Sequence, residues 1–186
     1  MSSKKVKNLL FILLCSLFFM PSANGQIYTS KNIKINIFSS TPIEDIKAAS
    51  YSAAAVLVTE KQEISFQVAI KSLEFDKKLM QEHFNENYME SDKFPLAKFK
   101  GTIEQKIDWA KDGVHEVTVN GTLLLHGVEK LRKINGKVTI KNNVISLEST
   151  FSVACEAHQV KIPKMMFTKI AEVIEVKVQG NLTQLK

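Results

Sequence analysis

Isoleucines at 33, 35 and 37 alternate with Lys34 and Asn36. Farther on, Ile64, Phe66, Val68 and Ile70 alternate with Ser65, Gln67, Ala69 and Lys71. Successive side chains of a strand point to opposite faces, so each run predicts a strand with one buried and one wet side. The longest case starts at Ala97, where Phe99, Gly101, Ile103, Ile107 and Trp109 share one parity. The other parity carries Lys98, Lys100, Thr102, Glu104, Lys106 and Asp108. A strand of this length fits a strongly coiled sheet better than a flat one. Lys111-Asp112-Gly113 then signals a turn into Val117, Val119, Gly121, Leu123 and Leu125. His126-Gly127 interrupts before Ile134, Gly136, Val138 and Ile140, and Asn142-Asn143 before Ile145, Leu147, Phe151 and Val153. The last run is Ile174, Val176, Val178 and Leu182. Neighbouring strands joined by short turns predict antiparallel hairpins. A sheet of many long strands removes its two edges by closing, so the expected fold is all-β, mainly antiparallel, a closed or nearly closed barrel of about eight strands. Gly101, Gly121, Gly136 and Gly180 would serve the bends of closure.

One segment has the longer period of a helix. Phe75, Leu79, His83 and Phe84 fall three to five apart, with Met80 alongside, and Lys77, Lys78, Gln81, Glu82 and Glu86 form a polar face. This predicts an amphipathic helix over Asp76–Asn87, capped by Asp76 and lying at one end of the barrel. Shorter helical turns are expected at Thr41–Asp45, where Pro42 suits a first turn, and near Lys164–Ala171. Neither repeats nor low-complexity tracts interrupt the chain.

The amino terminus follows a different pattern. Lys4, Lys5 and Lys7 precede an apolar run from Leu9 to Met20, then Pro21 and the small residues of Ala23-Asn24-Gly25. This is the layout of a secretory signal, cleaved before Gln26. A retained anchor is disfavoured, because twelve helical residues span about 18 Å of a roughly 30 Å hydrocarbon core. The expected organisation is therefore a signal peptide over 1–25 and one domain over 26–186, in a periplasmic or secreted protein. Removing the signal lowers the net charge from +6 to +3, since it carries three lysines and no acid. With no dense basic cluster left, nucleic acid is not an expected partner. The remaining domain has one cysteine, Cys155, so it folds without an intrachain disulfide.

The inward parity would carry Phe66, Val68, Phe99, Ile103, Trp109, Val119, Leu123, Leu125, Val138, Ile145, Leu147, Phe151, Ile174 and Val176, with Phe84 from the helix above. A barrel of about eight strands either fills with such side chains or holds one ligand. Composition leaves both open, while Gly101, Gly121 and Gly136 at inward parity would leave room. Catalytic chemistry has weaker support. Cys155, Glu156, His158 and His126 are residue types that bind zinc or build a nucleophile, yet Cys155-x-x-His158 lacks a second pair and a third partner. There is no Gly-x-Ser-x-Gly, His-Glu-x-x-His or phosphate-cradling glycine loop, and neither a metal nor a cofactor is expected. His83 and Glu82, with Asn85, Asn87, Tyr88 and Asp92 close behind, could meet a polar head group at the barrel mouth or simply face water.

Two stretches resemble a known family. HFNENYMESDKFPLAKFKG (His83 to Gly101) resembles the YceI-like segment in which a helix ends in paired bulky residues before an aromatic-Pro and an Ala-x-Phe strand. VNGTLLLHGVEK (Val119 to Lys130) resembles the same family's Gly-x-Leu-Thr-hydrophobic-x-Gly-x-Thr-Lys strand and turn. The opening region, Ile37 to Leu57, departs from the family's aromatic and histidine pattern. The resemblance implies a lipocalin-like barrel exported in bacteria, whose lumen holds an isoprenoid or other long apolar lipid for transport or storage. The expected protein is a binder with no enzymatic step and no membrane-spanning segment, and a homodimer stays open. The alternative is a filled barrel acting through its outer surface, as an envelope stress factor or interaction module.

Overall fold

The computed structural model describes residues 25–40, 45–162 and 172–185. The helical turn expected from Thr41, the one near Lys164–Ala171 and the apolar segment before residue 25 lie outside the described residues. Nine strands follow in chain order: β1 (Ile27–Ser39), β2 (Ile46–Val58), β3 (Glu63–Ala69), β4 (Glu74–Phe75), β5 (Leu96–Ile103), β6 (Gly113–Leu125), β7 (Val128–Lys141), β8 (Val144–Ala154) and β9 (Val173–Gln184). Eight of them form an antiparallel meander, β2-β3-β5-β6-β7-β8-β9-β1, which closes because β1 also pairs with β2. The two-residue β4 adds to β2 at one end, opposite Ala48 and Ala49. Among the described residues the fold is thus a closed eight-stranded barrel with one extra strand and one short α-helix.

The turns foreseen at His126-Gly127 and Asn142-Asn143 are two-residue hairpin loops. Their φ values are 50° and 74° in the first and 50° and 62° in the second, the doubly positive pattern that matches the twist of paired strands. Both faces of the alternation sort as expected. Tyr28, Ile33, Leu57, Ile103, Ile145 and Leu182 are buried, while the lysines stay outside. On β2 four of the buried inward positions are small, Ala48, Ser50, Ala53 and Ala55, and Leu57 follows them. Ile33, bulged out of register with β2, is fully buried beside them.

Three expectations change. The long strand from Ala97 ends at Ile103, not Trp109. Gln105 is the one polar residue on its inward parity, and it turns aside to accept a hydrogen bond from the Thr118 amide at 2.8 Å. Ile107 then folds under the barrel as a buried plug, its amide donating to Gln62 Oε1 at 3.0 Å, and Trp109 packs against the same core from the loop. Gly101 and Gly121 also differ from the spacers expected. They face each other across β5–β6, and a Cβ on Gly121 would lie 2.4 Å from the Lys100 carbonyl and 2.7 Å from Phe99 Cζ. Their role is to let two backbones and a phenyl ring approach closely, not to widen the lumen. Lastly, the helix, α1 (Lys78–His83), is shorter than expected and continues as a π-helical turn over Phe84–Tyr88. Its cap is Lys77, without the side-chain hydrogen bond expected of Asp76.

Residues 70–95, inserted between β3 and β5, lie over the end of the barrel opposite the Ile107 plug. Phe75 and Phe84 pack with ring centres 4.8 Å apart, and Gln81 Oε1 accepts the Phe75 amide at 3.1 Å, so β4 and α1 are joined in one cap. Beside it a small second core of Ile70, Met89 and Val160 fixes the insertion to the wall.

Candidate functional site

The lumen is divided. Its lower half is nearly closed by side chains and keeps a cavity of about 120 Å³. The upper half, beneath the cap, holds about 440 Å³. Ile35, Val68, Ala97, Leu123 and Phe151 line both, and so form the floor between them. Walls of the upper cavity come from Ile37, Phe38, Val153, Ile174 and Val176, and its roof from Phe75, Leu79, Met80 and Phe84. The volume falls within the range of small-molecule sites.

The roof is unlike an ordinary amphipathic helix packed on a core. No residue of α1 is buried, and Leu79 is 62% exposed although it lines the cavity. Its apolar residues Leu79 and Met80 border the chamber instead of being buried in packed side chains. Among the described residues, the polar lining is Ser39, Lys77, His83, Tyr88 and Cys155. Burial raises the Tyr88 hydroxyl above its ordinary value. Burial, with the nearby Glu172 charge adding to it, raises the Cys155 thiol, which is therefore a neutral wall atom at physiological pH.

Of the inward residues expected, Phe66, Val68, Phe99, Ile103, Val119, Val138, Leu147, Leu123 and Phe151 line the lower cavity. Phe84, Leu125, Ile174 and Val176 line the upper one, together with the floor residues. Trp109 lines neither cavity and belongs to the closed base, while Ile145 is fully buried in the core. Gly136 does border the lower cavity, alone among the three glycines expected to leave room. His83 and Tyr88 reach the upper cavity, whereas Asp92 turns to Lys71 at 2.5 Å and Asn85 donates to the Gln81 carbonyl. Pattern reading missed Phe38, Ile46, Val160 and Ile162 as lining residues. Only Phe38, an apolar residue adjoining Ile37 at the end of an alternating run, carried a visible signal.

The Cys155/His158 spacing is a structural turn. A 3₁₀ turn over Glu156–His158 follows Cys155, the His158 amide donating to the Cys155 carbonyl at 3.1 Å. The fully buried His158 ring donates from Nδ1 to the Val128 carbonyl at 3.1 Å. His126 bridges Glu90 Oε2, 2.9 Å from Nε2, and the His158 carbonyl, 3.2 Å from Nδ1. The histidines therefore tie the β6–β7 turn to the cap and to the segment after β8. Among the described residues no group of three or more metal-ligating side chains converges.

Burial holds His158 below its ordinary 6.5, with the Val128 and Leu125 carbonyls opposing and Arg132 and Lys130 adding to the depression. A depressed histidine binds its proton more readily in the unfolded chain, so folding stability is complete above pH 6.5 and falls as pH drops towards the folded value. Glu104 and Glu148, held by lysine and amide partners below 4.5, lose their contribution only at lower pH. Chemical denaturation at pH 7.5 and 5.5 is expected to show a lower midpoint at 5.5, and His158→Gln to remove most of that difference. An equal pH dependence in the variant would place it elsewhere.

The fold and the site together define a closed antiparallel β-barrel with a filled base and an apolar upper chamber beneath a helical roof. The YceI-like domain family matches residues 29–182, and the chain belongs to it. Among solved structures it is similar to a polyisoprenoid-binding domain from Saccharophagus degradans implicated in plant cell wall breakdown, at 12% identity and a TM-score of 0.73, covering 87% of this chain and 100% of that one. It is also similar to BcnA of Burkholderia cenocepacia, at 12% identity and a TM-score of 0.68, over 81% and 96% of the two chains. The YceI protein of Campylobacter jejuni follows at 13% identity and a TM-score of 0.64, over 79% and 89%. At these identities the likeness is one of fold. No curated protein matches the chain. No helix among the described residues is long and apolar enough to cross a membrane.

Proposed function

We propose that this protein is an exported, non-enzymatic carrier or store of one isoprenoid or other long-chain apolar lipid, held in the upper chamber beneath α1. The observation that carries this reading is the roof itself: an amphipathic helix whose apolar residues line a chamber of about 440 Å³ with none of them buried. At about 30 Å³ per small group, the volume accepts roughly 15 methylene-sized units. Burying each contributes about 0.8 kcal/mol, an upper limit near 12 kcal/mol before the cost of ordering the chain. Retention thus needs no specific polar contact, although Lys77 and His83 stand where a head group would emerge. Export rests on the amino-terminal signal layout and on the family.

Native mass spectrometry of residues 26–186, expressed with the signal present and purified without detergent, tests this directly. A discrete excess mass lost on solvent extraction and identified as a polyprenyl or acyl compound is expected. An unmodified mass that stays unchanged after incubation with lipids would overturn the reading.

A further inference from the structure

The barrel wall is not equally continuous all round. β6 and β7 pair along their whole length, from Gly113↔Ile140 to Leu125↔Val128, and β8 and β9 do so from Val144↔Thr183 to Ala154↔Val173. Between these two hairpins β7 and β8 pair only from Lys141↔Val144 to Lys137↔Glu148. Above that point, among the described residues, 128–136 of β7 and 149–154 of β8 have a ladder on one side only. The strands diverge in the half of the barrel that holds the larger chamber. The inner rim of the divergence is Gly136, Ser149 and Phe151, all lining the lower cavity, and Phe151 is also part of the floor beneath the upper one.

Side chains close this gap in place of a ladder. Ser149 Oγ donates to the Asn135 carbonyl at 2.6 Å, and Arg132 Nη2 donates to the Ser152 carbonyl. Higher up, the 3₁₀ turn ties back through His158 to the Val128 carbonyl. Arg132 stands opposite Gly121 on the parity of the buried Ile134 and Val138, where an apolar residue would be expected. It is the one arginine in a chain whose other basic residues are all lysine. Its planar fork can hold a backbone carbonyl across a gap in a way a lysine point charge does not.

We propose that the β7–β8 divergence is a lateral passage for the lipid chain, with Arg132 and Ser149 as the ties that close it. This rests on the lipid-binding reading above and deepens it. Parting the Ser149–Asn135 and Arg132–Ser152 hydrogen bonds, with the His158–Val128 tie still holding the upper end, opens the wall without breaking a ladder or lifting the cap, so an acyl or isoprenoid chain slides in sideways while its polar head stays in water. A chain longer than the chamber accepts also has a way out through the same gap.

The passage can be stapled. A Cβ built on Gly136 lies 3.4 Å from Ser149 Cβ, at the short edge of the about 3.5–4.5 Å seen in disulfides. Gly136→Cys with Ser149→Cys, in a Cys155→Ser background, should form a bridge across the rim. The probe is cis-parinaric acid, a fluorescent C18 polyene fatty acid, with its release to phosphatidylcholine vesicles followed in time. Release from the oxidised protein is expected to be about tenfold or more slower than from the same protein after reduction, the loss of about one charge-assisted hydrogen bond's worth of opening. Arg132→Ala, without the staple, is expected to speed release by a similar factor, and Arg132→Lys not to restore the slow rate. Equal rates in oxidised and reduced protein, with the disulfide verified by mass, would overturn the passage while leaving lipid binding intact. If the staple does not form, unchanged release from Arg132→Ala overturns it instead. Failure of the unaltered protein to bind the probe or any native lipid would remove both readings together.

Discussion

Leu123→Lys is expected to abolish lipid retention. Leu123 is 7% exposed and lines both cavities, so an ammonium there sits at the floor of the chamber where an apolar chain would end. An unpaired charge in such surroundings costs several kcal/mol, and the ligand would lose the apolar contact it needs. The same penalty falls on the folded state, which makes a second variant necessary. Leu79→Asp places a carboxylate on the roof at a position 62% exposed, where the fold loses little. Its expected result is a native circular dichroism spectrum and thermal midpoint with a mass free of lipid. Undiminished lipid in a folded Leu79→Asp protein would move the ligand away from the chamber beneath α1.

Gly121→Val is expected to produce the largest loss of stability of any single change in the wall. Even the first carbon of the new side chain would stand 2.4 Å from the Lys100 carbonyl, 2.7 Å from Gly101 Cα and 2.7 Å from Phe99 Cζ. Two of these obstacles are backbone on the paired strand, so relief requires parting β5 from β6. Overpacking of this kind costs about 1–3 kcal/mol when side chains alone must yield, and a strand displacement costs more. For a domain of this size each kcal/mol lowers the melting temperature by about 2–4 °C, so a fall of about 10 °C is expected. Gly136→Ala is the comparison: its Cβ meets the Glu148 carbonyl at 3.0 Å, and a loss of only a few degrees should follow. A Gly121→Val protein melting with the parent would show that the β5–β6 approach is not as tight as described.

These two variants also mark where pattern reading succeeds and where it stops. Alternation places Leu123, Val119 and Phe99 on the inner face correctly, because a strand's two-residue period is a local property of the backbone. The same logic could not assign Gly101 and Gly121. Inward parity suggested empty space, and only the pairing of β5 with β6 reveals that the two glycines oppose each other. β2 was barely legible, since Ala48, Ser50, Ala53 and Ala55 are small enough to weaken the contrast between faces. They point inward by strand parity, and Ile33 of β1, opposite Ala53, is fully buried beside them. Likewise Trp109 has the parity of a lumen residue, but its strand had ended six residues earlier at Ile103.

What the sequence determined by itself was everything that depends on near neighbours. It encoded the number and direction of most strands, the two-residue turns at His126-Gly127 and Asn142-Asn143, and the presence of one amphipathic helix. The two motifs that resemble the YceI-like family belong to the same class, being local strings. The tertiary structure decided how much of the lumen is chamber and how much is filled. It also decided that α1 roofs the open half, and that β7 parts from β8 where Arg132 reaches across. The reason is physical: an inward apolar residue has the same local pattern whether it meets another side chain, a ligand or a gap. Which of these it meets depends on the closure of the barrel, on where each strand ends, and on residues far away in the chain.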